Sequence, residues 1–350
     1  MDRMNLSFRV GITPDFYVDA KGRFEHIVAS QFGPFPNVDC GPMPDQPGNV
    51  ATPDAIDQYD AIFAMALRFT ADSLKGIERL ALISRWGVGY DMIDTAAITE
   101  AGVALAITPN AVKRPVAEAI YTFIFALTTN LMMEDRVVRS GRWRGDLPRL
   151  GRNIKGRILG SIGCGNIALE VFRMAQSLGF GRLLACDPYA DPEAAKALNV
   201  ELVTLEELMA QSDFVTINTL LNAQTRGLIG EPQLRLMKPT AFLINTARGP
   251  IIQEAALVKA LSERWIAGAG LDVFETEPLP HGNPLLELDN VILTPHGLAW
   301  TEEIVRDNGI EACQNILAIA RGEVPGSIVN REVINTPKFQ QKLAAYRRNS

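Results

Sequence analysis

Midway along the chain, the apolar run Arg157 to Ile162 breaks into Gly163-Cys164-Gly165-Asn166-Ile167-Ala168 and continues into Leu169 to Leu178, which reads as a helix. A strand, a glycine turn and a helix in that order are what a dinucleotide-binding βαβ unit requires. Gly163 permits the tight turn. Gly165 lets backbone approach a pyrophosphate, whose charge meets the N–H groups and positive dipole end of the helix. Ala168 stands where a third glycine is usual, an accepted variant for close helix packing. Glycine turns also arise for plain conformational reasons, so a second signal is needed. Asp187 supplies it, ending the next strand candidate 24 residues after Gly163, near where an acid accepts hydrogen bonds from ribose hydroxyls. A carboxylate there repels a 2'-phosphate, and Pro188-Tyr189 offers no arginine, so NAD is expected over NADP. Arg182 is the one nearby cation that argues otherwise.

Around this unit the chain alternates short apolar runs with polar or helical segments, the rhythm of parallel strands joined by helices. Arg9 to Thr13, Ala61 to Leu67, Arg79 to Ser84 and Val103 to Ile107 make a first α/β lobe. Gly33 to Pro53, rich in Pro and Gly, reads as a long surface loop. From Val112 to about Arg139 a segment with Val116, Ile120, Phe123, Ile124, Leu127 and Leu131 predicts a connecting helix. A second series follows at Arg157 to Ile162, Leu183 to Cys186, Phe214 to Asn218, Ala241 to Asn245, Ala267 to Leu271 and Val291 to Leu293. Six such strands fit a doubly wound sheet. A further helix, Thr301 to Ala320, then carries the chain out, so residues 1–112 and 302–350 are expected to form one domain into which 113–301 is inserted. The fold class is α/β, with two Rossmann-like or flavodoxin-like lobes.

Composition excludes other classes. With 47% hydrophobic and 21% charged residues, a net charge of −6 and no basic block before Arg347-Arg348, neither disorder nor nucleic-acid binding is signalled. The longest uncharged apolar stretch, Ala119 to Met133, is shorter than the roughly 20 residues that span a bilayer and reads as a buried helix. Met1 to Val10 lacks the apolar run of a signal peptide. Cys40, Cys164, Cys186 and Cys313 show no CxxC spacing, which favours reduced thiols, no metal and a cytoplasmic setting.

Three residues after strand candidates carry reactive chemistry. His296 follows Val291-Ile292-Leu293 at the strand end where open α/β sheets put ligands, unlike His26 and His281 in loop-like segments. Hydride transfer to a ketone leaves negative charge on oxygen, and an imidazolium donates the compensating proton near neutral pH. Arg248, in Asn245-Thr246-Ala247-Arg248-Gly249-Pro250, can grip a carboxylate with two prongs. Glu277, in Phe274-Glu275-Thr276-Glu277-Pro278, would favour the imidazolium if paired with His296. Singly, each has a plain alternative: a structural histidine, a surface ion pair, a solvated loop charge. Spacing does not show that the three converge.

The chain resembles the D-isomer-specific 2-hydroxyacid dehydrogenases over about residues 60 to 330. The resemblance rests on Gly87-Val88-Gly89-Tyr90-Asp91, Val116-Ala117-Glu118, the glycine loop with Asp187-Pro188, Ser212-Asp213-Phe214-Val215, the Asn-Thr-Ala-Arg-Gly segment, Gly270-Leu271-Asp272-Val273-Phe274, Glu277-Pro278 and Thr294-Pro295-His296, in family order. It implies an NAD-dependent oxidoreductase of a small 2-hydroxy or 2-oxo acid, of hydroxypyruvate or glyoxylate type or larger. His296 is then acid/base, Glu277 its partner and Arg248 the carboxylate anchor, with the Val88 and Gly89 N–H groups holding the substrate carboxylate in an interlobe cleft. Asp272 is implied to bond the nicotinamide carboxamide, and Asn166, Ile167, Asp187, Thr219, Thr246, Ala247 and Gly297 join Gly163 and Gly165 as cofactor contacts. A homodimer through the nucleotide domain is also implied. The other class the motifs leave open is an NAD(H)-sensing binding protein or corepressor on the same fold.

Departures from the family pattern mark where selectivity is expected. Asn218-Thr219-Leu220-Leu221 replaces a usual His-Cys-Pro-Leu, Gly297-Leu298-Ala299-Trp300 follows His296, and Trp86 precedes Gly87. Trp86, Trp300, Arg68 and the Gly33 to Pro53 loop are the expected selective contacts.

Overall fold

Short runs with every side chain buried, such as Ala61–Ala64 and Gly268–Leu271, are what parallel strands covered on both faces look like. The computed structural model describes residues 7–20 and 22–348, except the side chain of Asp19. The expectation for Met1 to Val10 therefore lies partly outside the described residues. Twelve strands occur among these, and the chain divides into two units: residues to Val112 with those from Thr301, and Lys113–Trp300.

In the first unit, β1 (Phe8–Ile12), β2 (Val38–Pro42), β3 (Ala61–Ala64), β4 (Leu82–Arg85) and β5 (Ala104–Ala106) form a parallel sheet ordered β2-β1-β3-β4-β5. Strand β2 corrects the reading of Gly33 to Pro53 as a loop. It is an edge strand containing Gly and Pro with no buried side chain, so it lacks the apolar run by which strands are recognised. The last part of the chain completes this unit. Helix Glu302–Ala320, capped by the Thr301 hydroxyl, receives a hydrogen bond from Ser84 Oγ at Ala312 O, 2.9 Å. Asn330 bonds the backbone of Leu105 and Val103 at 2.9 and 3.0 Å. Lys342 Nζ donates to Leu80 O at 2.6 Å.

Trp86 is 6% exposed, its ring 5.0 Å from Phe16 and 5.7 Å from Phe63, so it anchors the Gly87 loop in the aromatic core. Arg68 is exposed, its backbone pairing with Asn49 and Ala51, and Trp300 is exposed as well.

The second unit contains β6 (Ile158–Ile162), β7 (Arg182–Cys186), β8 (Val200–Leu202), β9 (Phe214–Ile217), β10 (Phe242–Asn245), β11 (Gly268–Leu271) and β12 (Val291–Leu293), all parallel, ordered β12-β11-β10-β9-β6-β7-β8. This is a doubly wound sheet whose direction of winding reverses between β6 and β9, the crevice where such sheets bind ligands. The seventh strand, β8, is a three-residue edge with one buried side chain. The expected helix from Val112 to Arg139 is two helices, Pro109–Thr128 and Leu131–Arg139, bent by 56°. Asn130 sits between them at φ +54°, a left-handed conformation that ends a helix. The stretch Ala119 to Met133 is buried at Ile120, Phe123 and Ile124, but Leu131 and Met132 are exposed. Among the described residues no single helix is long and apolar enough to cross a membrane.

Candidate active site

The glycine turn comes first. Gly163 has φ +99°, and a Cβ there would lie 2.4 Å from Asn218 O just past β9, so both conformation and the close approach of the chain leaving the neighbouring strand demand glycine. Gly165 begins helix Asn166–Ala175 with no side-chain cap, and a Cβ on it would meet nothing within 4 Å. Open space faces an uncapped helix N-terminus, with Asn166 exposed and Ile167 half-buried beside it. A dinucleotide pyrophosphate fits such a cradle. Asp187, just past β7, accepts N–H bonds from Cys164 and Tyr189, both 2.8 Å, so the acid also fixes the glycine turn. Arg182 begins β7 and is bidentate to Glu201 at 2.9 and 2.6 Å, at the strand's opposite end from Asp187. Asn218 donates to Ser161 and Thr216 at 2.9 and 3.0 Å and so supports the turn from below. Half-buried Thr219 follows it.

Next along the same edge, β10 ends in Asn245, fully buried, whose amide donates to Arg248 O at 2.9 Å and accepts from Ala247 N at 3.0 Å. This clamp shapes the Thr246–Arg248 loop. Gly249 lets that loop press on its neighbour: a Cβ there would lie 1.9 Å from the Phe274 carbonyl carbon. The loop after β11 is thereby held against Arg248, and its Phe274 N–H donates to Glu277 Oε1 at 2.9 Å.

The other Glu277 oxygen lies 2.8 Å from His296 Nδ1. His296 has φ +51°, a region rare for side chains other than Asn, Asp and His, and persists there because its surroundings fix it. The fixing group is Asp272, 5% exposed, whose Oδ1 accepts from Thr294 Oγ1 at 2.5 Å, Gly297 N at 3.0 Å and Leu298 N at 3.1 Å. Burial draws the Glu277 carboxyl up, but the His296 hydrogen bond and charge, the Phe274 N–H and the Arg248 charge outweigh it and hold Glu277 below the ordinary carboxylate range. The fold thus joins Glu277 and His296, sets Arg248 within electrostatic reach of Glu277, and aligns all three with the glycine turn on the carboxyl edge of one sheet. Asn245, Gly249 and Thr294 position these groups and were not singled out from sequence as site residues; the signal was their place in the Asn-Thr-Ala-Arg-Gly and Thr-Pro-His segments. Val88 and Gly89 belong to the first unit, just past β4, where Gly87 N donates to Thr108 Oγ1 at 2.7 Å.

A model of the D-isomer specific 2-hydroxyacid dehydrogenase NAD binding domain matches residues 121–297. The chain is 39% identical over 275 residues to a glyoxylate reductase of Korarchaeum cryptofilum, covering 77% of this chain and 82% of that protein. It is 39% identical over 292 residues to one from Thermococcus onnurineus, covering 81% and 87%. A solved glyoxylate reductase of Paecilomyes thermophila superposes with TM-score 0.79 at 29% identity, covering 93% of this chain and 99% of that one. The sensing alternative is not favoured beside relatives named as reductases. The chain belongs to the D-isomer-specific 2-hydroxyacid dehydrogenases, and is a nicotinamide-dependent oxidoreductase of 2-hydroxy and 2-oxo acids.

Proposed function

We propose that this enzyme reduces a small 2-oxo acid of glyoxylate or hydroxypyruvate type with NADH. The observation that carries the reading is the 2.8 Å Glu277–His296 pair beside the charge of Arg248. Bound nicotinamide supplies the hydride. His296, with Nδ1 engaged by Glu277, has Nε2 to deliver a proton to the carbonyl oxygen as charge develops there. Arg248 grips the substrate carboxylate, which also takes N–H bonds from Val88 and Gly89 of the first unit. The first unit serves as the substrate domain and Lys113–Trp300 as the nucleotide domain, with Thr219, Thr246, Ala247, Asp272 and Gly297 at the cofactor.

Preference for NAD over NADP is supported by the Asp187 carboxylate and by the engagement of Arg182 with Glu201 at the far end of β7. A homodimer is supported by the exposed Leu131, Met132, Val138, Trp143 and Leu150 on one stretch of the nucleotide domain. The cytoplasm suits four free thiols. The test is loss of NADH absorbance with a panel of 2-oxo acids, run in parallel with NADPH. Turnover of glyoxylate or hydroxypyruvate with NADH is expected. Turnover of none of the panel, or equal rates with NADPH, overturns the corresponding part. Asp187→Ala is expected to weaken NADH binding and relax the preference toward NADPH.

A further inference from the structure

The opposite edge of the seven-stranded sheet carries a concentration of positive charge that the reaction does not use. A depression of about 490 Å³ there is lined by Arg152, Asn153, Lys155, Arg157, Lys238 and Asp213. Arg157 immediately precedes β6, Asp213 immediately precedes β9, and Lys238 lies on the approach to β10. All are at amino ends of strands, whereas the glycine turn and His296 are past carboxyl ends. A five-residue strand such as β6 spans ~16 Å, so the two edges are separate places.

Four cations and one carboxylate line the depression, and that carboxylate is already occupied. Asp213, 9% exposed, accepts the Ile158 N–H at 2.9 Å through Oδ2, while Oδ1 takes Lys238 Nζ at 3.2 Å and lies 3.8 Å from Arg157. Arg152 donates to a neutral carbonyl, Thr240 O, at 3.2 Å. Among the described residues, neither Arg152 nor Lys155 has a carboxylate within ion-pair distance. In a chain of net charge −6, cations gathered around a concavity with so little local compensation repel one another, and an anion entering it relieves that repulsion. An arginine fork and an ammonium lining one concavity suit a phosphate dianion.

We propose that this depression is a second anion site, distinct from the cofactor's, that binds the phosphate or diphosphate group of a small molecule. Arg152 and Lys155 supply the ligand contacts, while Arg157 and Lys238 hold Asp213 and add field.

The test uses enzyme saturated with NADH, so that the glycine turn is filled, and titrates inorganic diphosphate against sodium chloride at matched ionic strength while following the thermal midpoint. Inorganic phosphate in a parallel arm separates a single phosphate from a diphosphate as the group recognised. The wild-type midpoint is expected to rise with diphosphate beyond the chloride control. In Arg152→Ala/Lys155→Ala the apparent affinity should fall at least about tenfold, because each charge-assisted contact removed is worth a comparable factor. NADH oxidation without diphosphate should be unchanged in the variant. Should the double variant fold poorly, Lys155→Gln alone keeps the test, since that side chain is exposed. An equal response in wild type and variant, or one no larger than chloride gives, overturns the proposal.

Discussion

Gly249→Ala tests whether the approach of two loops sets the reactive geometry. The added Cβ would lie 1.9 Å from the Phe274 carbonyl carbon, where ordinary contact begins at 3.4 Å. The obstacle is backbone on both sides, so no side chain can swing away. The Arg248 loop and the Phe274–Glu277 loop must therefore part by about 1.5 Å, and misplacing reacting groups by ~1 Å costs on the order of 100-fold in rate. Overpacking of this kind also costs roughly 1–3 kcal/mol of stability. The glycine turn and Asp187 belong to other strands and should be left in place. The expected result is kcat/KM for 2-oxo acid reduction lower by about two orders of magnitude, a lower urea midpoint, and an NADH dissociation constant within a few-fold of wild type by fluorescence titration. Turnover within threefold of wild type, with an unchanged midpoint, would refute the reasoning that Gly249 holds Arg248 against the Glu277 loop.

His296→Ala should lower kcat by about 10²–10⁴-fold, the usual worth of a general acid, while NADH binding persists; normal turnover sinks the assignment. Glu277 is held below its ordinary value, so it contributes stability above that value and loses it as pH falls through the lowered folded value. Urea midpoints of wild type and Glu277→Gln should therefore differ near neutrality and converge in acid, and a gap independent of pH contradicts the pairing. Trp86→Ala should cost about 3–5 kcal/mol as a core cavity and leave the ranking of substrates alone. A reordered substrate panel with an unchanged melting point would restore a pocket role for that ring.

What the sequence made legible follows from which strands keep an uninterrupted apolar run. Central strands such as β6, β9 and β10 are covered on both faces and flanked on both sides, so their apolar runs stand out. The edge strands β5 and β12 keep an apolar run and were legible too, whereas the edge strands β2 and β8, with Pro, Gly and Glu in them, lack one, so β2 read as loop and β8 was missed. The break at Asn130 was equally hidden, because Leu127 and Leu131 keep a helical spacing across it while the left-handed turn leaves no periodic signature. In the site, residue identities were readable but their convergence was not. Glu277 and His296 stand 19 residues apart and meet only because β11 and β12 are neighbours. Asp272 is a different case: a cofactor contact was implied for it, and the structure adds that one of its oxygens holds the His296 loop. The basic depression was illegible for the same reason, since Lys238 joins Arg152, Lys155 and Arg157 only across the sheet edge.

The insertion of one unit within the other has a consequence for the order in which the protein is made. Lys113–Trp300 is contiguous, so every contact of its sheet is available once that stretch has left the ribosome. The first unit is not so placed. Its strands β1 to β5 emerge early, but the helix that covers β4, Asn330 that bonds the β5 backbone and Lys342 that holds Leu80 all lie beyond residue 300. At synthesis rates of ~5–20 residues per second, the intervening stretch of roughly 190 residues leaves that sheet half-covered for about 10–40 s. During that interval the apolar surface that the late helix covers at β4 is open to other chains. Nascent-chain aggregation and chaperone demand should therefore track the first-synthesised segment, although it is the last to be completed.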